Sequence, residues 1–373
     1  MTPNICRVLV TGAQGFVGKN LVLRLREQAG FEVLTFVRGD DDAALQAALS
    51  AADAVIHLAG ENRPASPDAF ELVNAGLTRR VCDGLLALRK PVPVLLASSA
   101  QAELDNPYGR SKLAAEEALV QLAQGNGNPV AIYRLPGVFG KWCRPNYNSV
   151  VATFCHNKAH DLPVQINDTN ARVRLVYVDD VVNAFLQALE EPIAGLSRPS
   201  VAPEYTITLG DLSDQIDAFK NCRSNLVSER VGTGLTRALY ATYVSYLPVE
   251  KFAYGVPTYG DARGVFVEML KTPDAGQFSF FTAHPGITRG GHYHHTKTEK
   301  FLVIKGHARF GFRHMLTNEV HYLETHGDQP QIVETVPGWT HDITNIGADE
   351  MVVMLWANEI FDRANPDTVT SKV

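Results

Sequence analysis

Residues 6–18 read CRVLVTGAQGFVG: a short apolar run, then three glycines, Gly12, Gly15 and Gly18, in GxxGxxG spacing. The next stretch, KNLVLRLREQAG, carries apolar residues at helical spacing and stops at Gly30. FEVLTFVR at 31–38 then reads as a second strand. Strand, glycine turn, helix and strand make a βαβ unit. In such a unit the first glycine permits a tight turn and the second lets the backbone approach a pyrophosphate. The third packs helix on strand, and the helix N-terminus faces the anion. The placement points to a dinucleotide held by Gly12, Gln14, Gly15, Phe16, Val17 and Gly18. Leu58 and Ala59, at the end of the buried strand DAVIHLAG (53–60), are expected to join them. Arg38 stands where NAD-binding chains usually carry an acid for the ribose hydroxyl. An arginine suits a 2′-phosphate, so NADPH is the expected cofactor.

Outward from this unit the alternation continues. Residues 70–89 read as a helix, VPVLLASS (92–99) as a strand and YGRSKLAAEEALVQLAQ (108–124) as a helix. NPVAIYRLPGVFG (128–140) is strand and loop. This predicts an α/β fold, a doubly wound parallel sheet with helices on both faces, over residues 1–248. Between Arg38 and Ala52 no strand is visible, and the acidic run at 40–42 suits loop plus helix. From about residue 249 to 373 the texture changes. FVEML, QFSFFTAH, KFLVIKG, ARFGF, VHYL, QIVETV and MVVMLWA recur between turn residues, as in an all-β barrel or sandwich. Nine of the twelve histidines lie in residues 250–373, where even spreading would place about four. The last third therefore reads as a separate unit with its own chemistry.

Composition narrows the function classes. Of 373 residues 20% are charged and 45% hydrophobic, and the net charge is −6. That balance argues against nucleic acid or an acidic membrane as the main partner. No apolar run approaches the ~20 residues of a membrane span. Five cysteines without a CxxC pair, and no secretory pattern at the start, suit reduced thiols in the cytoplasm.

Tyr108 and Lys112 have YxxxK spacing, which puts both side chains on one helix face. An ammonium there can lower the phenol pKa and hold the nicotinamide ribose, leaving a tyrosine able to protonate a carbonyl being reduced. About 0.4 such pairs are expected by chance in this composition, so the spacing carries weight only in its place. That place is after a glycine turn and just after a strand ending in Ser98–Ser99. TGAQGFVG (11–18), HLAG (57–60), SSA (98–100), YGRSK (108–112) and VYVDDV (176–181) together resemble the extended short-chain dehydrogenase/reductases. The resemblance covers roughly residues 5–245. It implies that Ser99 bonds the substrate carbonyl, Tyr108 donates the proton, Lys112 tunes it and Asn74 supports the lysine. Sugar-nucleotide dehydratases of that family carry Asp-Glu after the catalytic hydroxyl residue. Ala100 and Gln101 stand there instead, which argues against dehydration.

Residues 286–306, GITRGGHYHHTKTEKFLVIKG, place Gly286, His292, His294, Glu299 and Gly306 at the spacing of the first cupin motif. PGWTHDITN (337–345) adds His341 and Asn345 as in the second, with PG in place of PxG. His292 and His294, two apart on a strand, share a face. His292, His294, Glu299 and His341 are the candidate ligands of Zn²⁺, with Fe²⁺, Mn²⁺ and Ni²⁺ also compatible.

A 4-keto sugar nucleotide gives both units one chemistry, since its ketone accepts hydride at C4 and acidifies the C3 proton. A reductase followed by a cupin, with WANEIFD (356–362) and PDT (366–368) near the end, resembles the CapF-type capsular-polysaccharide enzymes. The resemblance implies a homodimer acting on a UDP-2-acetamido-2,6-dideoxy-4-hexulose. It implies epimerisation at C3 in the cupin, then NADPH reduction at C4 to a UDP-6-deoxy-L-talosamine derivative, on the route to N-acetyl-L-fucosamine of capsule or O-antigen. Tyr293, His295, Lys297 and Lys300 are candidate bases, with His295 and Lys300 preferred. Two alternatives stay open: a cupin that only staples a dimer through its metal, and a cupin dioxygenase fused to an unrelated reductase.

Overall fold

The computed structural model describes residues 5–63, 66, 70–191 and 193–373. The chain divides into two compact units, Met1–Ile216 with Arg237–Leu247, and Asp217–Thr236 with Pro248–Val373.

In the first unit β1 (Cys6–Thr11), α1 (Phe16–Arg26), β2 (Phe31–Phe36), α2 (Asp42–Ala51) and β3 (Ala54–His57) come first. Then come α3 (Leu77–Leu88), β4 (Val94–Ser99), α4 (Pro107–Asn126) and β5 (Val130–Leu135). After them follow β6 (Gly137–Phe139), α5 (Val150–Ala159), β7 (Arg172–Tyr177), α6 (Val178–Glu190), β8 (Leu196–Ser197) and β9 (Glu204–Thr208). A parallel sheet runs β2-β1-β3-β4-β5-β8. Its central strands are buried on both sides: Val8 and Val10 enter one core and Leu9 the opposite one. The acidic run resolves into a helix start, with the Asp41 carboxylate capping α2 through the Ala44 amide at 2.8 Å. The chain thus crosses from β2 back over β1 to β3. The turns after β1 and β3 flank the point where strand order reverses, which is where open α/β sheets bind ligands. The helix read at 70–89 opens with a π-helical stretch, Glu71–Gly76, before α3.

The second unit is antiparallel throughout its two sheets. Its strands are β10 (Thr258–Asp261), β11 (Gly264–Thr272), β12 (Gly276–Ala283), β13 (Thr288–Tyr293), β14 (Glu299–Lys305) and β15 (His307–His314). They continue with β16 (Val320–His326), β17 (Ile332–Glu334), β18 (Trp339–Asn345), β19 (Met351–Ala357) and β20 (Val369–Thr370). One sheet is ordered β10-β11-β12-β19-β14-β17, the other β16-β15-β18-β13-β20. Phe281, Phe301, Val303, Phe310, Ile343 and Val353 form the core of this unit.

A single cut at 248/249 leaves residues 217–236 with the reductase, whereas the structure groups them with the β unit. The backbone explains this: Lys271 donates to the Leu226 carbonyl and accepts from the Ser228 amide, both at 2.8 Å. All five cysteines are free. Among the described residues no helix is long and apolar enough to cross a membrane.

Candidate functional sites

The glycine turn is built by close approach. Gly12 has φ +68°, and a Cβ there would lie 2.7 Å from the Ala59 nitrogen. A Cβ on Gly18 would lie 2.2 Å from the Gly12 carbonyl oxygen, so helix and strand could not pack. Gln14 and Gly15 are exposed, Phe16 and Val17 half-buried and Gly18 buried. α1 begins after Gly15 with no side-chain cap, leaving its first amides for an external acceptor. The Thr11 hydroxyl accepts from the amides of Leu58 and Ala59, each at 3.2 Å, and joins the two turns. Behind it, Thr11 Oγ1 lies 2.6 Å from His57 Nδ1, and His57 Nε2 lies 2.9 Å from Thr78 Oγ1. Burial pushes this imidazole down to about 3, so His57 is a neutral brace. The cradle fits a dinucleotide pyrophosphate.

Arg38 is mostly exposed and pairs with Glu61 at 2.8 Å. The Asp40 carboxylate accepts from the Val37 amide at 2.8 Å and so closes its own turn. Glu61 also accepts from the Tyr147 hydroxyl at 2.9 Å.

Ser99, Tyr108 and Lys112 come together at the end of β4 and the start of α4. The Asn106 side chain caps α4 through the Gly109 amide at 2.8 Å, and Pro107 occupies its first turn. Burial raises the Tyr108 phenol above its ordinary value, partly offset by a hydrogen bond with Ser99. The sequence suggested lowering by Lys112. Instead the buried Lys112 Nζ donates to the Ala97 carbonyl at 2.8 Å. Burial pulls Lys112 down to about 8, with Glu116 acting in the opposite sense. A raised phenol pKa keeps Tyr108 protonated at neutral pH, as a proton donor requires. Asn74 donates to Ser111 Oγ at 2.9 Å and accepts from the Glu61 amide at 2.8 Å, so it bonds the lysine's neighbour.

In the second unit His292, His294, Glu299 and His341 offer ligand atoms all within 4.8 Å of one another. A register shift between Gly290 and His292 sets His292 opposite His341 across β13 and β18. His294 Nδ1 donates to the Asp367 carbonyl at 2.5 Å, which fixes the ring with Nε2 3.3 Å from Glu299 Oε2. His341 Nε2 is buried with no hydrogen-bond partner. Burial, then His341, hold His292 down to about 4. Burial opposes ionisation of Glu299, but His294, His341 and Lys297 hold it well below its ordinary value. Three imidazoles and one carboxylate gathered in this way suit a divalent transition metal.

Of the four candidate bases only Lys297 lines the cavity that reaches Glu299, with Nζ 3.1 Å from Glu299 Oε1. His295 is exposed and lies against Tyr293, with ring centroids 5.4 Å apart. Lys300 follows Glu299 on β14 and therefore points to the opposite face, where it pairs with Glu334. His295 and Lys300, the bases preferred from sequence, are thus not placed in the cavity.

Residues 8–201 match the NAD dependent epimerase/dehydratase family, and residues 259–369 match the polysaccharide biosynthesis C-terminal domain. A Pseudomonas aeruginosa protein described as UDP-2-acetamido-2,6-beta-L-arabino-hexul-4-ose reductase is 56% identical over 98% of this chain and 99% of its own length. The Staphylococcus aureus capsular polysaccharide assembling protein CapF has a crystal structure that superposes with TM-score 0.90. It is 42% identical over 98% of this chain and 100% of that one. The chain is a CapF-type member of the NAD dependent epimerase/dehydratase family. A Bacillus cereus UDP-glucuronic acid 4-epimerase shares the fold over 64% of this chain and 98% of that one, with TM-score 0.54 and 17% identity.

Both sites of this CapF-type chain use residues that no motif flags. Glu116, 1% exposed, accepts from Ser98 Oγ at 2.5 Å and from Arg134 at 2.7 Å, and ties the catalytic end of β4 to α4. Its i+4 spacing from Lys112 was the available signal. Asp367, within the PDT tail, accepts from the amides of His295, Thr296 and Lys297 at 2.7–2.9 Å. These amides hold its carboxyl far below the ordinary range and fix the loop between His294 and Glu299. Nothing in sequence pairs residue 367 with residue 295.

Proposed function

We propose that this chain converts a UDP-2-acetamido-2,6-dideoxy-4-hexulose into a UDP-6-deoxy-L-talosamine derivative. Epimerisation at C3 belongs to the C-terminal unit, and NADPH reduction at C4 to the N-terminal one. The product lies on the route to N-acetyl-L-fucosamine of surface polysaccharides. The observation that carries this reading is one chain holding both a Ser99–Tyr108–Lys112 carbonyl site and a three-histidine, one-carboxylate cluster. The name of the Pseudomonas aeruginosa relative supports a 4-hexulose substrate.

A nicotinamide cofactor on the glycine turn would supply hydride, and His292, His294, Glu299 and His341 would hold a divalent ion able to polarise a ketone oxygen. Ser99 orients the C4 carbonyl and Tyr108 gives its proton to the C4 oxygen as the carbinol forms. Lys112 keeps positive charge beside that oxygen. In the cupin cavity Lys297, 3.1 Å from Glu299, lies where a bound sugar would meet its ammonium. Zinc as resident ion and a homodimer complete the reading, checked by elemental analysis and by sedimentation.

Incubating the protein with the UDP-4-keto sugar in D₂O, with and without NADPH, tests the division of labour. Deuterium at C3 without NADPH, and reduced sugar only with it, is the expected result. The relative's name mentions a reductase alone, which favours a second reading in which the cupin only supports the fold. No exchange in the absence of NADPH would establish that reading.

Cofactor choice rests on Arg38, whose exposed guanidinium can leave Glu61 for a 2′-phosphate. Charge-assisted contacts of this kind are worth about ten- to a hundredfold in affinity. Arg38→Asp is expected to shift preference toward NADH by that factor. Equal kcat/KM for both cofactors in the parent protein would overturn the assignment.

A further inference from the structure

The cavity that reaches Glu299 has a volume of about 670 Å³, and Lys297, Glu359, Arg363 and the pair Glu268 and Lys271 also line it. On a regular strand Glu268 and Lys271, three apart, would face opposite sides. β11 is bulged instead: Glu268 pairs with Ser279, Leu270 with Phe278 and Lys271 with Gln277. Met269 is the extra residue and is 56% exposed. The bulge therefore turns both Glu268 and Lys271 to the face of Gln277 and Ser279, which are buried and line the same cavity. The Lys271 backbone is fixed on its other side by Leu226 and Ser228.

Glu268 Oε2 and Lys271 Nζ are 2.9 Å apart, with 17% and 19% of the side chains exposed. Gln277 Nε2 donates to Glu268 Oε1 and to Ser279 Oγ, each at 3.1 Å. Across the sheet Gln277 pairs with Ala357, which pairs with Glu299. The small side chain of Ala357 leaves open space between the polar group and the carboxylate ligand. Both side chains are largely withdrawn from bulk solvent, and what exposure they keep is to this cavity. The bulge thus places a donor and an acceptor side by side in the cavity that Glu299 lines.

We infer that Glu268 and Lys271, backed by Gln277 and Ser279, are the sugar-binding residues of the cupin cavity. The carboxylate accepts from a ring hydroxyl or amide, and the ammonium donates to an oxygen of the same ring. The inference rests on the epimerase reading above. It is tested in the full-length protein by measuring C3 deuterium exchange against UDP-4-keto-sugar concentration for Glu268→Gln, Lys271→Met and Lys271→Arg. The first two are expected to raise KM by about ten- to a hundredfold, with kcat, metal content and Tm near the parent values. Lys271→Arg is expected to recover most of the loss. Unchanged KM overturns the inference, as does loss of metal or lowered Tm, which would make the pair a structural brace. A parent protein that exchanges no deuterium overturns the epimerase reading and this inference with it.

Discussion

Replacing Tyr108 by phenylalanine is expected to lower reduction of the 4-keto sugar by about 100- to 10,000-fold, the usual contribution of a positioned general acid. The phenol is half-buried, its pKa is raised by burial, and its hydroxyl is the proposed donor beside Ser99. The ring that packs on Phe70, with centroids 5.6 Å apart, is retained, so the fold should hold. The glycine turn and Lys112 are untouched, so NADPH binding measured by fluorescence should be nearly unchanged. Deuterium exchange at C3 should continue, since it draws on the other unit. Reduction at a near-parental rate would place the proton donor elsewhere.

Removing one imidazole from the metal cluster is the second large effect. His341→Ala is expected to bring metal content to background and to abolish C3 exchange. The reason is geometric: His341 Nε2 is buried within the ligand cluster, 3.4 Å from Glu299 Oε2. Without the ring, His292, His294 and Glu299 cannot close a four-ligand shell. Ion binding also stabilises the surrounding strands, so Tm should fall. Lys300→Met serves as the control, because that side chain lies on the outer face with Glu334. It should keep both metal and exchange. A fully exchanging, metal-free His341→Ala protein would show that the cluster serves something other than this chemistry.

What could be read locally follows from how each signal is written. The βα turn is legible because a backbone approach within 3 Å tolerates only glycine, so the requirement appears as Gly12 and Gly18. The YxxxK pair is legible because one helical turn fixes the geometry of Tyr108 and Lys112. Three of the four candidate ligands sit within eight residues and share a strand and its following bend. The two-part architecture was visible in hydrophobic period and in histidine distribution.

The sequence by itself determined the parallel α/β unit, the antiparallel unit and the candidate chemistry of each, because period and short spacing encode them. Tertiary structure alone decided which side chains face a cavity. Lys297 and Lys300 are indistinguishable as sequence neighbours of Glu299. Strand alternation sends Lys300 outward, and the bend after His294 brings Lys297 in. Asp367 acts through partners 70–72 positions away, which no local pattern encodes. Glu268 and Lys271 face one way because a single inserted residue, Met269, resets the alternation of β11. Register across strands is fixed by long-range backbone pairing, and that pairing exists only once the chain has folded.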